Sequence, residues 1–135
     1  MHREKSSSRK KAAISPVFRG RVWIDGKDGT FLGHGRIVLL ERIREHGSIT
    51  KAARSMEMSY RHAWELVDSM NSQAEEPFVS AATGGKGGGG AQLTDAGENA
   101  IRLFWKFSED FQVFLKQEQK KLSFQRKMPK KASKK

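Results

Sequence analysis

The hydrophobic positions of this chain follow two periods, and the switches between them mark out its elements. Val17 to Ile24 reads V-F-R-G-R-V-W-I, which suits an extended strand. Asp25-Gly-Lys-Asp-Gly29 is turn chemistry, and Thr30-Phe31-Leu32 makes the returning strand. Ile37, Leu40 and Ile43, with Leu39 alongside, then recur at helical spacing, while Arg36, Arg42, Arg44 and Glu45 point outward. Gly47 stops this helix. Ser48 caps a second, short helix to about Ser55, in which Ala52 and Ala53 permit close packing. Met56-Glu-Met58 is a tight connection. Ser59 caps a third helix to about Gln73, with an inner stripe of Ala63, Leu66, Val67 and Met70, and Pro77 forbids its continuation.

The second half of the chain continues with a short strand at Phe78 to Ala81, a loop from Thr83 to Gly90 and a partner strand at Ala91 to Leu93. Thr94 caps a last, long helix from Asp95 to about Lys121, and Asp95 complements the dipole in its first turn. The predicted class is mainly α with small β-hairpins: a winged helix-turn-helix with a long C-terminal dimerisation helix. Residues 1–15 read as a disordered basic N-terminal tail, 16–121 as the folded domain and 122–135 as a disordered basic C-terminal tail.

Composition sharpens this picture less than charge placement does. Hydrophobic residues make up 36% of 135, enough for one modest core. The absence of cysteine excludes disulfides and cysteine-based zinc sites. The longest apolar run, Ile37 to Leu40, is far short of a bilayer crossing, so a cytoplasmic, nucleoid-associated protein is expected. The net charge of +11 suggests a polyanionic partner. Residues 1–11 hold +4 of it and residues 116–135 hold +8, which leaves 12–115 at −1. The basicity is in the ends, and any specific contact must come from the body.

Two helices joined by a short turn are usually only a packing unit. Here the second of them opens with Ser59, Tyr60, Arg61 and His62, hydrogen-bonding side chains at the end where a recognition helix meets base edges. Arg61 suits bidentate contact with guanine, and Ser59 or the helix-terminal amides suit phosphate. Ser48, Lys51 and Arg54 on the preceding helix are candidate backbone contacts. Glu65 and Asp68 are unwelcome near phosphates, so only the first turn or two is expected to enter a groove. The run from Thr83 through Gly84, Gly85, Lys86, Gly87 and Gly88 to Gly90 reads either as a flexible linker or as a phosphate loop. A strand succeeds it and Gly87 stands after the lysine, against both nucleotide-loop motifs. As a hairpin tip it lets backbone amides approach phosphates, with Lys86 adding a charge.

Residues 47–71, G-S-I-T-K-A-A-R-S-M-E-M-S-Y-R-H-A-W-E-L-V-D-S-M-N, with 82–97, A-T-G-G-K-G-G-G-G-A-Q-L-T-D-A-G, resemble the DNA-binding domain of the molybdate-responsive ModE regulators. More distantly, the S-x-T-x-A-A helix pair and the L-T-x-A-G after the wing resemble LysR-type regulators. The resemblance covers about 31–121. It implies a winged-helix dimer on a palindromic promoter site, with Ser59, Tyr60 and Arg61 as recognition contacts and Thr83 to Gly90 as the wing. The family continues into β-rich molybdate-binding domains. The segment after Lys121 is short and Lys-rich, so the expectation is a DNA reader that lacks those domains, with a separate effector-sensing protein among the candidate partners.

Along the last helix Ile101, Phe104, Phe111 and Leu115 form one apolar stripe and Leu103, Phe107 and Phe114 another, with Trp105 nearby. A helix on a single small core needs one stripe. Either the N-terminal hairpin covers the second face, through Trp23 and Phe18, or a homodimer does. The dimer reading takes Ile101, Phe104, Trp105, Phe107, Phe111, Phe114 and Leu115 as interface residues. His2, His34, His46 and His62 are isolated, and Asp25 to Gly29 lacks the acid at the third position of a calcium loop. No metal, cofactor or enzymatic activity is expected, and Trp64 is expected to pack or brace the recognition helix. Besides a sequence-specific regulator on double-stranded DNA, two further readings stand: a winged-helix interaction module, and a nonspecific nucleoid-type binder driven by the tails.

Overall fold

The computed structural model describes residues 16–82 and 90–127. They form β1 (Ile24–Gly26), β2 (Gly29–Leu32), α1 (His34–His46), α2 (Ile49–Ser55), α3 (Tyr60–Gln73), β3 (Val79–Ala82), β4 (Gly90–Leu93) and α4 (Asp95–Lys127). The result is a winged helix-turn-helix with two small antiparallel hairpins. The chain divides into two compact units, one of residues 22–109 and one that joins the described residues 16–21 and 110–127.

Within 22–109 the core is built from what the apolar spacing announces. Ile37, Leu39, Leu40 and Ile43 of α1 meet Ala52 and Ala53 of α2, and Ala63, Val67 and Met70 of α3. Leu32, Phe78, Val79, Ala91, Ile101 and Phe104 close it. The alanines leave no side-chain bulk between the helices, which sets the close crossing a helix-turn-helix needs. Local chemistry defines the ends. Gly47 takes the left-handed conformation (φ 69°) and its N–H donates to the Ile43 carbonyl. Ser48 Oγ accepts the Lys51 N–H, and Ser59 Oγ accepts the His62 N–H. The turn between α2 and α3 places Glu57 at φ 56°, where glycine is the more usual residue.

Two outward arginines are corrected. Arg36 is half-buried, donating to Ser69 Oγ at 3.0 Å and the Phe31 carbonyl at 3.4 Å, and desolvation lowers its pKa from the ordinary value. Arg42 is likewise partly covered and reaches Ser55 Oγ at 2.8 Å. The strand expected over Val17 to Ile24 is also corrected: pairing begins only at Ile24, and its register slips at Ile24/Asp25. Upstream, the backbone bonds to glutamines instead of a strand. The Phe18 N–H donates to Gln119 Oε1 at 2.8 Å, and Gln112 Nε2 donates to the Gly20 carbonyl at 3.2 Å. Gly20 lets this segment lie on the Phe111 ring, which an added Cβ would approach to 3.0 Å.

α4 runs to Lys127, six residues past the expected end. Residues 122–127 contain no helix breaker. Among the described residues, no helix is long and apolar enough to cross a membrane. The N-terminal tail to residue 15, the loop residues 83–89 and the chain beyond 127 lie outside the described residues.

The start of α4 presses on Phe78, the residue that leads into β3. A Cβ at Gly97 would stand 2.4 Å from the Phe78 carbonyl oxygen, a backbone atom with no freedom to yield. Gly97→Ala is therefore expected to cost about 1–3 kcal/mol. Thermal unfolding followed by circular dichroism checks this, and an unchanged midpoint would contradict it.

Candidate nucleic-acid interface

The two capping serines define the candidate surface. Ser59 Oγ accepts the His62 N–H and caps the start of α3. Tyr60, Arg61 and His62 are all exposed on this first turn. Arg61 Nε donates to Glu65 Oε2 at 3.3 Å, one turn along, and the arginine side chain keeps 86% of its surface. A pair this open contributes little to stability and is readily exchanged for another acceptor. Glu65, unwelcome on charge grounds alone, thus orients Arg61. Lys51 and Arg54 lie exposed on α2, and Ser48 serves as its cap.

The wing strands pair Val79 with Leu93, Ser80 with Gln92, Ala81 with Ala91 and Ala82 with Gly90. The expected strand at Phe78 begins one residue later. Thr83, Gly84, Gly85, Lys86, Gly87 and Gly88 lie outside the described residues, so the tip is defined only by the two strands that lead to it. Asn71 ties the start of β3 to the recognition helix. Asn71 Oδ1 accepts the Phe78 and Val79 N–H groups at 2.8 and 3.2 Å, and its Nδ2 donates to the Val79 carbonyl at 3.0 Å. Sequence reading does not single out Asn71. Its partners are backbone groups, which leave no mark in side-chain patterning.

Trp64 does not pack away as expected. It is 46% exposed and lies one turn beyond Tyr60, itself 51% exposed. The residues assigned to a dimer surface separate. Ile101 and Phe104 are corrected to core positions, filled by this chain's own helices. Trp105 is engaged too, donating its indole N–H to Glu41 Oε2 at 2.8 Å with His34 against its ring. Leu103 and Phe107 remain exposed in the unit of residues 22–109. In the other unit, Phe114 is exposed and stacks on half-buried Phe111, with Leu115 half-buried. Among the described residues, no group of three or more His, Asp or Glu side chains could hold a metal ion.

A capped helix-turn-helix followed by a two-stranded wing defines a winged-helix module of the bacterial regulatory class. Residues 35–98 match the family of bacterial regulatory helix-turn-helix proteins of the lysR family. The chain is 41% identical over 98 residues to the molybdenum transport protein ModE of Azotobacter vinelandii, covering 73% of this chain and 36% of that protein. It is 49% identical over 69 residues to the transcriptional regulator ModE of Yersinia pestis, covering 51% and 26%. It is 47% identical over 73 residues to the molybdenum-pterin-binding protein MopA of Rhodobacter capsulatus, covering 54% and 28%. The match over residues 35–98 is to a DNA-binding helix-turn-helix family, and the similarity to these relatives is consistent with a ModE-type DNA-binding domain. The chain spans between about a quarter and just over a third of the length of these curated relatives.

Asn71 leads to a direct test. Asn71→Ala strands three backbone groups and is expected to cost about 1–3 kcal/mol. Amide exchange at Phe78 and Val79 should quicken before that of the α3 amides. Equal protection in variant and parent would show that the side chain does not hold the wing.

Proposed function

We propose that this chain is a sequence-specific transcription regulator that inserts the start of α3 into the major groove of promoter DNA and rests its wing on the backbone. The observation that carries the reading is the exposed Tyr60-Arg61-His62 turn, presented by the Ser59 cap beside the Asn71-anchored wing. Arg61 is the base reader, and Ser48, Lys51, Arg54, Ser59 and the residues Thr83 to Gly88 hold the backbone. By likeness to proteins named for molybdenum, its targets are genes of molybdate uptake or molybdenum metabolism. It acts by binding rather than catalysis, on the cytoplasmic side of the cell and at the nucleoid.

The active form is a homodimer on a palindromic site. Leu103 and Phe107, and in the other unit Val113 and Phe114, are large apolar side chains left in water in the single chain. A symmetric partner removes them from it. With Phe107→Glu or Phe114→Glu, light scattering is expected to report the mass of one chain where the parent reports two. A monomeric parent defeats the dimer.

The DNA reading is tested by anisotropy titrations on duplexes selected by the chain from a random library, against random duplexes of equal length. Arg61→Ala should cost about 1–3 kcal/mol on the selected duplex and relax base preference there. Replacing the lysines at 130, 131, 134 and 135 by glutamine should weaken both duplexes alike and flatten the salt slope by roughly one unit per lost phosphate contact. If Arg61→Ala is silent while the lysine changes abolish binding, the chain is a nonspecific binder. If the parent binds no duplex, it is an interaction module, a reading that its near-neutral body favours.

A further inference from the structure

A groove of about 430 Å³ opens between α2, the outer side of α3 and the wing strands. Its rim carries Thr50, Tyr60, Trp64, Ser80 and Gly90. None of the described lining residues is acidic. The negative side chains of α3, Glu65 and Asp68, are not among them, although Glu65 adjoins Trp64 in sequence. The groove offers donors: the Trp64 indole N–H and the hydroxyls of Thr50, Tyr60 and Ser80. Among the described residues the Trp64 indole has no hydrogen-bond partner, unlike that of Trp105, which is bonded to Glu41. An indole can only donate, so what completes it is an acceptor.

We infer that Trp64 is a DNA contact in its own right: it clamps the sugar-phosphate strand that passes between the recognition helix and the wing. This rests on the DNA-binding reading above. A duplex gripped by α3 on one side and by the wing on the other must lead one backbone strand across this groove. Phosphate oxygens are acceptors and carry negative charge, which suits an acid-free wall of donors. The flat ring lies against deoxyribose, an apolar surface, while its N–H reaches phosphate. Such a contact holds the helix in register without reading sequence. Trp64 thereby differs from Arg61, which lies on the neighbouring stripe of the same helix.

The two roles separate in one experiment, with the full chain and the selected and random duplexes described above. Trp64→Ala is expected to weaken both duplexes by the same factor, about ten- to thirtyfold, as for a desolvated aromatic anchor. Trp64→Phe, which keeps a ring and loses the donor, should fall between, at about three- to tenfold. Neither should change the salt slope, because a neutral indole releases no counterion. Arg61→Ala, by contrast, weakens only the selected duplex. Unchanged affinity in both Trp64 variants overturns the inference while the parent's own binding keeps the DNA reading intact. A loss confined to the selected duplex also overturns it, making Trp64 a base reader. Should Trp64→Ala fail to fold, Trp64→Phe decides alone. A parent that binds neither duplex overturns both.

Discussion

The Phe78 backbone serves three elements at once. Its N–H donates to Asn71 of α3, and its carbonyl accepts the Thr94 N–H at 2.9 Å. Gly97 of α4 lies against the same carbonyl with no room for a methyl group, while the Phe78 ring is buried in the core. The recognition helix, the wing and the long helix are therefore referred to a single residue's backbone. Thr94 strengthens this point. Its Oγ1 donates to the Pro77 carbonyl at 2.6 Å and also accepts the Gly97 N–H as a helix cap. A wing hinged here keeps its distance from α3 whatever its tip does, and that distance sets the width of the groove beside Trp64.

The electrostatic design is divided in a way the overall charge conceals. A chain at +11 invites an account in which positive charge does the recognising. The folded body is close to neutral, and its recognition helix carries acids one and two turns along from its start. Glu65 holds Arg61 in an open, weak pair that costs little to break. In the proposed reading, backbone contact falls to neutral donors, to helix ends and to the lysines and arginines outside α3. Such an arrangement favours reading over nonspecific adhesion, because the body gains little from phosphate charge alone.

Much of the architecture is legible from local signals. Ser48, Ser59 and Thr94 mark helix starts, Gly47 a stop and Pro77 a barrier, and the helices begin and end beside them. The alanines of α2 and α3 foretell a close crossing. The resemblance carried by residues 47–97 leads to the same family as the comparisons. Features that spacing misplaces depend on distant partners. Ile101 and Phe104 resemble Phe107 in type and spacing, and only the packing of residues 22–109 puts two of them in the core and leaves the third in water. Trp64 reads as a brace because an aromatic at helical spacing usually packs.

By itself, then, the sequence determined the order of elements, their caps, the inner stripes of α1 and α3, and the turn that carries Tyr60 and Arg61. These depend on interactions within about four residues, where spacing and side-chain chemistry suffice. The tertiary structure alone decided which stripe of α4 is core, that residues 17–21 bond to glutamines rather than to a strand, and that Asn71 anchors the wing. It also turned Trp64 toward an open groove. Each of these rests on a partner brought close by the packing of the whole chain, and a backbone carbonyl or a buried face leaves no periodic mark in the residues that meet it.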